Sequence, residues 1–388
     1  MNQGKYVFAQ IAEFLPNHDF DVCVDRYNGN RYIKHFTCWN QMLCMMFGQL
    51  GNRESLSDLL LCIQAHKLKA YHLGFGIGVS KNNLAKANEK RDWRIFADFA
   101  YVLIAQARKC CVANIDFDLS IEGNIYAFDA TVIDLCLSVF WWAKYKTTKS
   151  AIKLNTLFDV KTSIPSFVHI TEAALHDVNA MDELIYEKDS FYVFDRGYID
   201  FARLHRITTE GAFFVIRAKK NFKYRRLYSH KCDKDKGVIC DQTIVLTGFY
   251  SAKDYPAKLR RIKYYDEETD TLFVFLTNNF DLSALEIALL YKYRWQVELF
   301  FKWIKQHLKV KTFWGYSENA VRIQVYIAIM TYTLVAIVKA KLNSPLTAYE
   351  ILQILSLSLL DKTPVKELVN SPDLQNVKEP LYNQLKLF

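Results

Sequence analysis

The sequence predicts a mixed α/β protein with a helical N-terminal region, and three observations carry that expectation. Apolar residues recur at helical spacing up to about residue 110. From about residue 120 the texture changes to short β-like runs, some separated by helical stretches, in the manner of strand-helix-strand crossovers after an antiparallel start. Between 217 and 275 the chain is β-rich, basic and punctuated by Gly, Pro and Asp, before a helical stretch opens at Ser283. At 388 residues, 51% hydrophobic and 23% charged, the chain can bury a full core and is long enough for two or three domains.

In chain order, Phe8, Ile11, Ala12 and Leu15 share one helical face, and residues 39–50 and 56–63 form a second and third apolar helical run. Gly51-Asn52 separates these two, and Ser55 with Asp58 predicts a capping box for the next helix. A further helix starts at Ser80 and carries Lys81, Asn82, Asn83, Lys86, Asn88, Lys90 and Arg91, amides and cations suited to base edges and phosphates. An ordinary exposed helix has the same composition, and the linker 67–79 is too long for a simple helix-turn-helix.

Residues 126–132 are the first strand, 153–160 and 166–171 a hairpin around Pro165, and 191–195 and 213–217 two further strands. Helical stretches at 178–187 and 199–208 separate the later ones. Strand candidates in the basic segment are 243–250, 259–265 and 271–276. Helices are expected at 283–308, 320–342 and 345–360, and the polar, proline-containing stretch 361–388 is expected to be loosely ordered.

The formal net charge is +9. Residues 217–264 alone hold 14 Lys or Arg against 4 Asp, so the rest of the chain is nearly neutral. Such a segment suits a surface that tracks a phosphate backbone, although a solvated lysine-rich loop reads the same way. The nine cysteines include no C-x-x-C pair, which points to reduced thiols rather than a zinc ribbon or a disulfide framework. Cys232, Cys240 and His230 fit no common zinc spacing. The first 20 residues contain no apolar run of the secretory type. The most apolar stretch, 323–338, includes Gln324 and falls short of the ~20 residues a membrane span needs, so it is expected as a buried helix.

Asp129 and Asp195 each lie within or at the end of an apolar strand, where side chains from different elements can converge on a rigid frame. A turn or cap aspartate has the same local look, Asp195-Arg-Gly-Tyr above all. Tyr291, Arg294, Glu298 and Lys305 follow one another at offsets of 3, 4 and 7 residues. On a continuous helix they fall within an arc of roughly 60°, with Leu290, Val297, Phe301, Ile304 and Leu308 on the adjacent face. A carboxylate beside an arginine, a lysine and a phenol suits a metal ligand flanked by phosphate binders, while Arg294 and Glu298 are equally spaced for a surface ion pair. His176 beside Asp177 lacks any accompanying serine or cysteine nucleophile motif and is read as a turn histidine.

The spacing Tyr-x2-Arg-x3-Glu-x6-Lys resembles the signature of the insertion-sequence-four family of DDE transposases. The run 293–306 around it, Phe128-Asp-Ala-Thr-Val-Ile-Asp-Leu135 and Val193-Phe-Asp-Arg-Gly-Tyr198 are similar to the same family. Residues 151–156 and Leu175-His-Asp177 look like its connecting segments, except that Asn155 stands where many members carry histidine. The resemblance implies a ribonuclease-H-like catalytic core with a β-rich insertion, plus an N-terminal α-helical accessory domain. The implied organisation is 1–115 for the helical DNA-end-binding domain, 120–345 for the catalytic domain with 217–275 inserted, and 346–388 for a C-terminal helix and tail.

It further implies a cut-and-paste DNA transposase with Asp129, Asp195 and Glu298 as catalytic carboxylates holding Mg²⁺, or Mn²⁺ in its place. Tyr291, Arg294, Lys305, Lys219, Lys220 and Lys223 would be the DNA-binding side chains. The implied partners are double-stranded DNA, as terminal inverted repeats and target, and a second copy of the chain in the DNA complex, in the nucleoid-associated cytoplasm and with no membrane. Asp134 is the nearest competitor of Asp129, but its odd offset along the strand turns it to the other face. Two other readings are a transposase-derived DNA-binding protein that has lost catalysis and a stand-alone nuclease or resolvase. The intact carboxylate set argues against the first, and the separate helical domain argues against the second.

Overall fold

The computed structural model describes residues 4–76, 79–111, 121–146, 149–219, 221–307 and 313–370. The N-terminal helices are α1 (Val7–Ala12), α2 (Asn17–Arg26), α3 (Cys38–Leu50), α4 (Leu56–Ala65), α5 (Lys67–Ala70), α6 (Lys81–Lys90) and α7 (Trp93–Cys111). Ser55 caps α4 by accepting the Asp58 N–H at 3.1 Å. Asp58 reaches back to the N–H of Glu54 rather than that of Ser55, so only half of the expected box forms. The complete box is Thr37 with Asn40 at the start of α3, a helix buried over almost its whole surface.

The strands are β1 (Ile125–Leu135), β2 (Lys144–Lys146), β3 (Lys149–Asp159), β4 (Ile164–Glu172) and β5 (Phe191–Phe194). After α8 (Phe201–Thr209) come β6 (Phe213–Arg217), β7 (Tyr224–His230) and β8 (Val238–Leu246), then α9 (Phe249–Asp254), β9 (Leu259–Asp266) and β10 (Thr271–Thr277). All ten form one sheet in the order β2-β3-β1-β5-β6-β10-β9-β8-β7, with β4 also on β3. β1, β3 and β4 are antiparallel, and β5 and β6 add in parallel on the far side of β1. This is the ribonuclease-H-like arrangement. The inserted strands continue that sheet, because β10 pairs directly with β6.

Several expected boundaries move. The β3–β4 turn lies at 160–163, and Pro165 sits inside β4 opposite Phe158, at a register shift where its missing N–H is tolerated. The strand expected at 243–250 ends at Leu246, after which Gly248 caps α9 and Phe249 and Tyr250 become helical. β7 escaped prediction because its Tyr-Arg-Arg-Leu-Tyr-Ser-His sequence has no apolar alternation, and six of its seven residues are exposed. The helical stretch expected at 178–187 is a 3₁₀ turn, Asp177–Glu183.

The remaining helices are α10 (Ala284–Lys292), α11 (Trp295–His307), α12 (Glu318–Leu342), α13 (Ala348–Ser358) and α14 (Val365–Asn370). α12 has 25 residues and by length and composition passes for a membrane span, yet 83% of its most apolar window is buried within the protein. It packs against α7 and α3 as the central core helix. Charged residues at its ends, Glu318, Arg322, Lys339 and Lys341, made the apolar run look shorter than the helix. The segment after 360, expected to be loose, is tied down as far as α14. Val7 and Phe8 donate backbone N–H groups to Asp361 and Leu359, and the Gln10 side chain bonds to Thr363 and Val365. Residues 371–388 and Lys220 lie outside the described residues. One apolar cluster joins the N-terminal helices, α12 and one face of the sheet, and a second fills the opposite face under α8.

Candidate active site

Strand alternation decides which way Asp129 points. Ile125, Ala127 and Ile133 on its side of β1 are buried in the larger cluster, and Asp129 pairs across the ladder with Thr156. Phe128 pairs in parallel with Phe194, so Asp129 in β1 and Asp195 just past the end of neighbouring β5, one residue further on each, stand at the same level. Neighbouring strands lie about 4.8 Å apart. Asp134 is exposed and, with buried Ile133 before it, belongs to the opposite face.

The single helix expected from 283 to 308 is two helices. Ser283 and Glu286 form a complete capping box at the start of α10. The helix ends at Lys292, and α11 begins at Trp295 after a break at Tyr293 and Arg294. The helical stripe therefore spans a kink, but the four side chains still converge on Asp129, Asp195 and β1. The Tyr291 hydroxyl donates to Asp195 Oδ1 at 3.3 Å. Arg294 reaches Asp129 Oδ2 at 3.0 Å and Glu298 Oε1 at 2.6 Å. Lys305 Nζ donates to Thr131 Oγ1 at 2.5 Å and to the Val132 carbonyl at 2.8 Å, which pins α11 across β1.

The electrostatics show carboxylates pressed together. Burial pushes Asp129 up to about 6, aided by Glu298 and Asp195 and opposed by the Ala130 N–H and Arg294. Burial alone would lower the Arg294 guanidinium, but Tyr291, Glu298 and Asp129 outweigh it and hold it above its usual value. Tyr291 is pushed up to about 12, first by burial. Among the described residues no group of three or more acidic, His or Cys side chains is arranged to hold a metal ion as it stands. Arg294 bridges Asp129 and Glu298 with its guanidinium. The donor chemistry does suit a hard divalent cation, since it consists of carboxylate oxygens only. A positive group already in that space shows that the pocket demands compensating charge.

Several contacts were not anticipated. Thr131 and the Val132 carbonyl receive Lys305. Tyr198, quoted only as part of a turn-like motif, is buried with its hydroxyl against Asp129, and burial followed by Asp129 and Asp177 raises its pKa strongly. Asp177 pairs with the buried Lys153 at 2.5 Å, which gives that residue a structural partner. His230 Nε2 bonds to Thr243 Oγ1 at 2.8 Å, in place of any cluster with Cys232 and Cys240. Lys219 and Lys223 are exposed between β6 and β7.

The raised Asp129 value carries a stability consequence. Its folded value near 6 lies above the unfolded value near 4, so ionising it opposes folding. The penalty is absent below about pH 4, grows between 4 and 6, and is complete above 6. Asp129→Asn is therefore expected to stabilise the protein by on the order of 2 kcal/mol at pH 7 and by almost nothing at pH 4. Denaturant melts at the two pH values check this. A variant no more stable than wild type at pH 7 would show that Asp129 is not held against its charge.

Comparisons with known proteins agree on one family. The family described as "Transposase DDE domain" matches residues 121–334, and "Domain of unknown function (DUF4372)" matches residues 3–76. A Sinorhizobium fredii protein named as transposase y4zB is 34% identical, over 67% of this chain and 71% of its own length. A Geobacillus stearothermophilus protein named as the transposase of insertion sequence element IS5377 is 30% identical, over 73% of this chain and 75% of its own. A Synechocystis protein named for element IS4SA is 25% identical, over 74% and 80%. Among solved structures, a piggyBac transposase synaptic complex with hairpin DNA aligns with 98% of this chain and 84% of its own, at a TM-score of 0.45 and 9% identity.

Proposed function

The chain belongs to the family of transposases with a DDE domain and is a DNA transposase, and from that premise we propose that Asp129, Asp195 and Glu298 are the carboxylates of a cut-and-paste reaction at element ends. The observation that carries this reading is the meeting of all three around Arg294 and Tyr291. The element names of two relatives agree with the insertion-sequence-four resemblance.

Asp129, Asp195 and Glu298 would hold Mg²⁺, with Mn²⁺ able to replace it. Bound there, the metal supplies a nucleophile at neutral pH and neutralises charge on the phosphorus. The side chains of the chain itself do the positioning. Arg294 balances Asp129 and Glu298, and turns to a phosphate as negative charge builds at the scissile bond. Tyr291 holds Asp195 by a hydrogen bond and lies beside the cleaved end, and Lys305 fixes α11 over β1 beside the phosphates. Exposed Lys219 and Lys223, together with Lys220 of the same segment, track the backbone of the double-stranded DNA, which comprises the terminal inverted repeats and the target. Two copies of the chain work together on that DNA, in the nucleoid-associated cytoplasm.

Supercoiled plasmid bearing candidate ends, incubated with Mg²⁺ or Mn²⁺, tests the reading. End-specific excision with joining to a target is the expected result. Binding without cutting would point to a descendant that has lost catalysis, and cutting indifferent to the ends would point to a nuclease. Neutralising Lys219, Lys220 and Lys223 is expected to weaken binding broadly and to reduce the salt slope by about 0.9 for each phosphate that these lysines neutralise. An unchanged slope in a salt series would remove them from the interface.

A further inference from the structure

We propose that β7 is a groove-entering edge strand for duplex DNA, with Arg225 and Arg226 reaching the two phosphate walls about eight base pairs inward from the cut. The inference rests on the transposase reading above and adds the surface that engages DNA away from the chemistry.

β7 is the terminal strand of the sheet, and Tyr224, Arg225, Arg226, Leu227, Tyr228 and Ser229 are all exposed. A strand that only completed a core would bury one face. Here Tyr228 is 62% exposed and Leu227 44%. Arg225 and Arg226 pair with Val245 and Ile244 across the ladder, so as consecutive residues they project to opposite faces of the ribbon. Among the described residues neither pairs with a carboxylate. The nearby acids are engaged elsewhere: Asp241 by Arg260, and Asp266 and Glu268 by Lys292. At the hairpin tip Lys236 takes Asp233, while Lys231 and Lys234 add charge.

Strand pairing fixes where this edge lies relative to the chemistry. His230 pairs with Asp241, Asp241 with Ile262, Ile262 with Phe275, and Phe275 with Arg217. Arg217 follows Ile216, which pairs with Phe194, and Phe194 pairs with Phe128. One row thus runs across the sheet from Asp129 and Asp195 to His230 at the end of β7. From β5 to β7 there are five strand spacings of about 4.8 Å, or roughly 24 Å along the sheet. Arg225 and Arg226 lie four to five residues back along β7 from His230, about 15 Å at 3.3 Å per residue, so they stand roughly 28 Å from the chemistry, or about eight base-pair steps of 3.4 Å.

A bare edge strand could instead recruit the same strand of a second copy. Antiparallel pairing centred on this segment would set Arg225 against Arg226 of the other chain, and like charges across a ladder destabilise it. The register shift between Arg226 and Tyr228 also interrupts the edge, and charge and bulges are what edges carry when they avoid strand addition. Side chains rather than backbone are therefore the working surface. Duplex DNA complements their charge, and the edge of a single sheet, about 10 Å thick with its side chains, fits a major groove about 12 Å wide.

The test uses the full chain carrying Arg225→Ala with Arg226→Ala, and separately each arginine changed to Gln, with thermal melts to confirm folding. Binding of an end fragment is measured over a salt series, with hydroxyl-radical footprinting and light scattering. The double variant should bind roughly 30-fold more weakly at 0.15 M salt, with a slope smaller by about 1.8. Its footprint should lose protection about eight pairs inward while keeping it at the cut. The Gln variants should each show about half the slope change. An unchanged slope and footprint would overturn the proposal, as would a change in oligomeric state without one. Failure of the transposase reading looks different: wild-type protein would protect the inward site yet never cut at the ends.

Discussion

Asp129→Ala, Asp195→Ala and Glu298→Ala should each lower single-turnover strand cutting by on the order of 10³-fold or more, about 4 kcal/mol of barrier. Binding of an end fragment should stay the same or tighten slightly, since each change removes negative charge from a surface that meets phosphates. The three act as a unit because they share one space. Asp129 stands in β1 and Asp195 at the end of the adjacent parallel strand β5, and Glu298 reaches the same arginine as Asp129. Gel-shift affinity alongside cutting at saturating protein separates the two quantities. Any one variant that cuts at close to the wild-type rate would take its residue out of the site.

The second large effect is expected at Arg294. Its guanidinium is mostly buried, with 16% of the side chain exposed, and holds two carboxylates on separate elements. Arg294→Ala removes the charge that balances them and, on the proposed reading, the donor for the scissile phosphate, so cutting should fall by roughly 10² to 10³-fold, with binding changed far less. Arg294→Lys should rescue little, because a single ammonium cannot span Asp129 and Glu298 as the planar fork does. Normal cutting by the alanine variant at saturating protein would place Arg294 among ordinary structural ion pairs.

Much of the site was legible because its residues lie in patterns that local physics preserves. The alternation around Asp129 told which face it shares and turned Asp134 away, and the structure keeps both. The spacing of Tyr291, Arg294, Glu298 and Lys305 survived even though the helix breaks at Tyr293, since a one-turn kink rotates the stripe without scattering it. What was not legible depended on partners distant in sequence. Nothing near Lys305 indicated Thr131 as its acceptor, and Tyr198 read as a turn residue until β1 and β5 brought it beside Asp129. β7 was invisible because its stability comes from pairing with β8 rather than from an apolar face of its own. The continuity of the insertion with the core sheet likewise depends on β10 returning to β6 across more than 50 residues.

The central claim, that three carboxylates hold the cation that drives cutting, is tested most directly by exchanging an oxygen ligand for sulfur. Cysteine thiolate is a poor ligand for Mg²⁺ and a better one for the softer Mn²⁺. Asp129→Cys, Asp195→Cys and Glu298→Cys are assayed for cutting at element ends in each metal, with Asp134→Cys as the control on the opposite face of β1. The account predicts that the three lose cutting in Mg²⁺ and recover part of it in Mn²⁺, while Asp134→Cys cuts like wild type in both. Undiminished cutting in Mg²⁺ by any of the three, or no recovery in Mn²⁺ by all of them, would contradict it.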